Sequence, residues 1–122
     1  MSIYLIRHGQ SEFNAAFALD PRTDPMMFDP HLTELGVQQA KSAREQLCDL
    51  KIKYIISSPM MRTIQTAIHI FGADHPIIIN PHMREKLVHS CDVGSHPQIL
   101  QDFFTHLSFD HLSAHWWHGN QT

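Results

Sequence analysis

The stretch Ile3-Tyr4-Leu5-Ile6-Arg7-His8-Gly9-Gln10-Ser11-Glu12-Phe13-Asn14 sets a short apolar run directly against a polar cluster. Residues 3 to 6, branched and aromatic, predict a brief buried strand. His8 follows that strand, and Gly9 lets the backbone turn sharply or approach a ligand closely. The fixed charge of Arg7 opposes a divalent cation at His8. It suits a phosphate, which a guanidinium grips through a planar fork of donors. Ser11 and Asn14 add neutral donors. A strand-end histidine capping a backbone carbonyl fits the same three residues equally well.

Working outward, strand-like and helix-like segments alternate. Pro21, Pro25 and Pro30, with three aspartates, mark residues 20 to 31 as a long loop. Thr33 reads as an N-cap with Glu34 favourably placed beside the positive helix end. Leu35, Ala40, Ala43, Leu47 and Leu50 then line one helical face. Tyr54-Ile55-Ile56-Ser57 predicts a second strand. Ser58-Pro59 reads as an N-cap with proline in the first turn. Met61, Ile64, Ile68 and Phe71 line the next helix, which Gly72 stops. Ile77-Ile78-Ile79 predicts a third strand, and Pro97 to Leu107 a further helix.

This β-α-β-α-β-α order favours a parallel sheet with helices packed on it. Right-handed crossovers place all three strand C-termini on one edge, where ligands bind in open α/β sheets. Arg7-His8, Ser57-Ser58 and Arg84-Glu85 are therefore expected to converge. Arg62 falls in the first turn of its helix, whose N-terminus supplies free N–H groups and positive potential. Glu85 offers a carboxyl group that can donate a proton to a leaving alkoxide. A solvated Arg62 and a surface Glu85 paired with Lys86 or Arg84 are the plainer readings of those two residues.

Three ordered motifs now carry a resemblance. Ile3 to Asn14, Leu32-Thr33-x-x-Gly36-x-x-Gln39-Ala40, and Tyr54-Ile55-Ile56-Ser57-Ser58-Pro59-x-x-Arg62-Thr63-x-Gln65-Thr66-Ala67 closely resemble the motifs of the histidine phosphatase superfamily, the phosphoglycerate mutase-like proteins. The likeness extends to Arg84-Glu85, and more loosely to Cys91-Asp92-Val93-Gly94-Ser95. It implies a three-layer α/β/α domain with a parallel sheet, spanning residues 1–122 as one unit. It also implies that His8 takes the phosphoryl group as a phosphohistidine. Arg7, Arg62 and Asn14 would hold the phosphate, and Glu85 would serve as proton donor and then as base. No metal and no organic cofactor is implied, and the expected partner is a small phosphorylated substrate or inorganic phosphate.

The family's second active-site histidine, on a later strand ending in His-Gly, has no clear counterpart. His118-Gly119 copies the dipeptide, but no run of apolar β-formers precedes it. The chain is accordingly expected to be short at its C-terminus, with Trp116 and Trp117, or a second copy in a homodimer, covering the sheet edge left open.

Composition narrows the alternatives. Of 122 residues, 43% are apolar and 17% charged, an ordinary globular balance, and a net charge of −3 without a basic block argues against a nucleic-acid partner. Cys48 and Cys91 match no metal or redox spacing, and no segment suits a signal or membrane span, so a cytoplasmic location is expected. Eleven histidines raise one rival: His111, His115 and His118 share a helical face and could hold zinc, although an exposed histidine-rich tail explains them as well. The functions left in play are a phosphomonoesterase, a mutase-type phosphoryl transferase, and a phospho-ligand binder that turns nothing over.

Overall fold

The computed structural model describes residues 2–118. Its helices are α1 (Glu12–Leu19), α2 (Glu34–Leu47), α3 (Met61–Phe71) and α4 (Pro97–Phe103). Strands β1 (Ile55–Ser57) and β2 (Ile77–Ile79) pair in parallel, Ile55 opposite Ile77. Two 3₁₀ turns, Pro81–Met83 and Ser90–Asp92, follow β2. With α3 as the crossover between parallel strands, this is an α/β domain.

Local chemistry explains the element boundaries. Thr33 caps α2, its hydroxyl accepting from the Gly36 N–H at 3.0 Å. Gly72 closes α3 at φ 86°, a conformation with little penalty for glycine alone, and its N–H bonds the Ile68 carbonyl at 2.8 Å. The core gathers Ile55, Ile77 and Ile79 from the strands with Met61 and Ile64 from α3, and Leu100, Phe104, Leu107, Phe109 and Trp116 from the later chain. Trp116 packs as its apolar bulk suggests. Its indole N–H donates to the Ser95 carbonyl at 2.8 Å, and its ring lies so close to Gly94 that a Cβ there would collide with it.

Several expectations are corrected. Residues 3 to 6 form no strand: Ile3, Tyr4, Leu5 and Ile6 are exposed, Leu5 at 88%. A run of four residues has no strand stability of its own, and the only ladder among the described residues joins β1 to β2. Helix α1 went unread, although Ser11 and Asn14 form a reciprocal capping box that starts it.

The inward face of α2 is Gly36 and Ala40, with Ala43 and Leu47 half-buried, while Leu35 is 52% exposed. Small residues win there because the chain at Gln10 lies against α2. A Cβ on Gly36 would strike the Gln10 carbonyl oxygen. Helix α3 starts at Met61, so Ser58 is not its cap and Pro59 lies before its first turn. The Asp29 carboxylate accepts the Met61 N–H at 2.9 Å, whereas the Ser58 hydroxyl pairs with that of Thr63 at 2.6 Å. Helix α4 ends at Phe103; Gln101 then ties down the following turn by donating to the Leu107 carbonyl at 2.8 Å.

Burial sets a first prediction. Ile64, with no exposed surface, should cost about 2–5 kcal/mol when cut to alanine. Leu5→Ser should stay within about 0.5 kcal/mol, as substitutions at exposed positions do. Denaturant unfolding of both variants measures the contrast.

Candidate active site

Residues 7 to 10 are irregular chain leading to the start of α1, and each N–H from Gly9 to Glu12 has an acceptor. Gly9 N–H donates to the Thr66 hydroxyl oxygen at 3.1 Å and Gln10 N–H to Gln39 Oε1 at 2.8 Å. Ser11 N–H donates to Asn14 Oδ1 at 3.0 Å, and Glu12 N–H to the His31 carbonyl at 2.9 Å. Gly9 is required here because a Cβ would strike the Gly36 backbone. The loop is thus held between α2 and α3 rather than by a sheet.

The His8 ring is half-buried, with Nδ1 2.6 Å from the Gly9 carbonyl oxygen. A carbonyl only accepts, so Nδ1 carries the hydrogen and Nε2 keeps its lone pair. Burial, foremost, pushes the His8 pKa below its usual 6.5; the charges of Arg62 and Arg7 act in the same direction. The bond to Gly9 and the charge of Glu85 oppose the shift without reversing it. The imidazole is therefore neutral at neutral pH, the form a nucleophile needs.

Arg62 is only 3% exposed and is doubly held. It donates to the Cys91 carbonyl at 2.8 Å and pairs with Asp92 Oδ1 at 3.4 Å. The other Asp92 oxygen accepts from the backbone N–H groups of Val88 and His89. Arg7 and Asn14 line the same cleft as His8, about 500 Å³ in volume, with Gln39 and Thr66 on its walls. Arg7 is exposed, and so is Glu85, whose charge nevertheless acts on His8. Of the five residues singled out in the sequence, Arg7, His8 and Asn14 line the cleft, whereas Arg62 and Glu85 do not line it and reach His8 through their charges; the first strand that was to deliver His8 is not formed.

Arg84 belongs to the scaffold: it donates to the carbonyls of Pro81 at 2.6 Å and His118 at 3.0 Å. Burial and Asp92 push the Cys91 thiol up to about 11, which leaves it a poor nucleophile. The rival zinc reading finds no helical face: His111 and His115 lie in turns and His118 in irregular chain, and His111 Nε2 donates to the Ile79 carbonyl at 2.7 Å. Among the described residues no three His, Cys, Asp or Glu side chains gather as a metal site, and no helix is long and apolar enough to cross a membrane. Gly119 lies outside the described residues, so the His118-Gly119 pair receives no structural account.

Sequence reading missed Asp29, Asp92 and Thr66 as residues that shape this site. Thr66 lay within a quoted motif and Asp92 within the looser segment 91–95. Neither motif showed what its polar side chain would hold.

A family model described as histidine phosphatase superfamily (branch 1) matches residues 3–118. A Proteus mirabilis protein described as a probable phosphoglycerate mutase, GpmB, is 37% identical over 86 residues, covering 70% of this chain and 38% of that protein. An Arabidopsis thaliana phosphoglycerate mutase-like protein is 41% identical over 80 residues, covering 60% of this chain and 29% of the relative. The chain thus spans well under half the length of these relatives. Among solved structures, the Entamoeba histolytica phosphoserine phosphatase in complex with 3-phosphoglyceric acid is 31% identical with a TM-score of 0.52, covering 66% of this chain and 37% of that one.

The depressed His8 pKa predicts a pH dependence with a definite sign. The unfolded chain takes up this proton before the folded one does. Stability from a neutral His8 is therefore complete above pH 6.5 and is lost as pH falls through the folded value. An NMR titration should place His8 below 6.5, and His8→Ala should flatten part of the acid limb of the unfolding midpoint.

Proposed function

The chain belongs to branch 1 of the histidine phosphatase superfamily, and on that premise we propose that it hydrolyses a small phosphomonoester through a phosphohistidine on His8. One observation carries the reading: a half-buried imidazole whose Nδ1–H is anchored on Gly9 with Nε2 left to react, and whose pKa is lowered by burial and by the charges of Arg62 and Arg7. The reaction runs in two displacements. His8 Nε2 attacks phosphorus as the P–O ester bond breaks, and the departing alkoxide takes the Glu85 proton. Water then attacks the phosphohistidine, giving its proton to the Glu85 carboxylate, and the P–N bond breaks to release phosphate. Arg7, Arg62 and Asn14 hold the phosphoryl oxygens through the transition state, where spread negative charge makes such donors most effective.

Exposure of Glu85 suits a group that must meet both a leaving alcohol and water. The names of the relatives keep a second fate in view: return of the phosphoryl group to a phosphoglycerate, as in a mutase. Both fates share the first displacement and differ only in the acceptor. A binder that turns nothing over is separated from both by the absence of any phosphohistidine.

His8→Ala should lower hydrolysis of every active ester in a phosphomonoester panel by at least about 1,000-fold, while leaving the fold intact. A variant as fast as the parent rejects the assignment. Radiolabelled substrate should mark the parent with an acid-labile, base-stable phosphoryl group that His8→Ala lacks, and transfer of that label to phosphoglycerate instead of water would identify a mutase. Glu85→Gln should slow alkyl phosphates by about 100- to 10,000-fold. An activated aryl phosphate, whose leaving group needs no proton, should be affected far less.

A further inference from the structure

We propose that Thr66 is a positioning residue for the His8 nucleophile, its hydroxyl fixing the nucleophile's loop against the helix that carries Arg62. The inference rests on the phosphohistidine reading of His8. Thr66 is buried in α3, one turn after Arg62. Its hydroxyl donates to the Arg62 carbonyl at 2.7 Å, the ordinary back-bond of a helical threonine. The same oxygen accepts from outside the helix, from the Gly9 N–H at 3.1 Å, 57 residues earlier in the chain. One oxygen atom therefore joins the Arg62 backbone to the His8 loop.

The N–H that Thr66 accepts belongs to the peptide joining His8 to Gly9. The next peptide, Gly9 to Gln10, turns its carbonyl to His8 Nδ1 and its N–H to Gln39 Oε1. Two successive peptide planes are thus tied to two different helices, the first to α3 and the second to α2. Between them stands Gly9, whose missing Cβ leaves its backbone unusually free to rotate. Remove the acceptor on Thr66 and the first plane loses its hydrogen bond to α3. Turning of that plane shifts the His8 Cα that carries the ring, so Nδ1 leaves the Gly9 carbonyl, which the second plane keeps in place, and the ring is released from the tautomer that keeps Nε2 unprotonated. A threonine kept solely for helix packing would make the back-bond to Arg62 and need no partner in the loop.

The test compares the full chain with Thr66→Val, which keeps the shape and loses the acceptor, and Thr66→Ser, which keeps the acceptor. Steady-state kinetics use p-nitrophenyl phosphate, and imidazole nitrogen–proton spectra identify His8 by the signals that vanish in His8→Ala. Thr66→Val should lower kcat by about 10- to 100-fold, the scale of loss when a reacting group is displaced by about an ångström. Its KM should change little, its His8 signals should show mixed tautomers, and Thr66→Ser should restore both kcat and the single tautomer. Unchanged His8 signals in Thr66→Val overturn the proposal, whether kcat is retained or falls with the folded fraction. Should valine prevent folding, Thr66→Ala makes the same comparison without the branched methyls. A parent chain that forms no phosphohistidine would defeat the catalytic reading of His8, while the spectra would still decide whether Thr66 orients the ring.

Discussion

A guanidinium with only 3% of its surface exposed must find partners inside the protein, and much of this structure follows from satisfying Arg62. Leaving one member of a buried ion pair uncompensated is destabilising by about 3–5 kcal/mol. The partners come from Cys91 and Asp92, almost thirty residues further along the chain. Asp92 in turn is fixed by the N–H groups of Val88 and His89, so the segment after β2 is drawn back across the start of α3. A second carboxylate repeats the device. Asp29 accepts the Met61 N–H at the helix start and the Ser95 hydroxyl, and its own N–H donates to the Val93 carbonyl. Asp24 and Ser90 complete the union of the two loops. With a sheet of two short strands, irregular chain is ordered here by buried polar bonds that converge on α3.

Local signals were legible in the sequence wherever their cause was local. Thr33 caps α2 because its hydroxyl reaches an N–H three residues away, and Gly72 ends α3 because glycine tolerates positive φ. The expectation that His8, Arg62 and Glu85 converge came from motif order and from alternation of strands and helices. What failed depended on distant partners. Residues 3 to 6 look like a strand by composition, but a strand exists only through its neighbour. Helix α3 is capped from Asp29, a residue in what reads as a proline-rich loop, so the adjacent Ser58 was a reasonable but wrong choice. Leu35 was assigned inward by hydropathy, yet the backbone approaches α2 closely enough to select glycine and alanine.

The same logic explains how His8 can be placed without a sheet beneath it. Sheet hydrogen bonds would fix a strand-end residue through its own backbone ladder. Here the ladder is replaced by side-chain acceptors from Thr66 and Gln39, and by contact between the glycines at 9 and 36. Such a mount depends on the spacing of α2 and α3. Any change that pushes these helices apart acts on His8, even though no side chain in the cleft is altered.

Electrostatics gives the arginines two effects on the same imidazole. Burial, together with the positive charge of Arg62 and Arg7, lowers the His8 pKa, and in the proposed reaction the same charges would attract a phosphate dianion. A histidine paired closely with a carboxylate would gain a proton and lose its nucleophilic lone pair over the range where it must act. Glu85 supplies negative charge near enough to moderate the field, but from an exposed position where solvent weakens it. Asp92 pairs with the Arg62 guanidinium at 3.4 Å, so part of that cation is already compensated within the protein. Full neutralisation would forfeit the proposed anion site, and no neutralisation would leave a buried charge unpaired. One carboxylate shared with two backbone N–H groups and the Cys91 thiol lies between these limits, since Asp92 then divides its own charge among four donors.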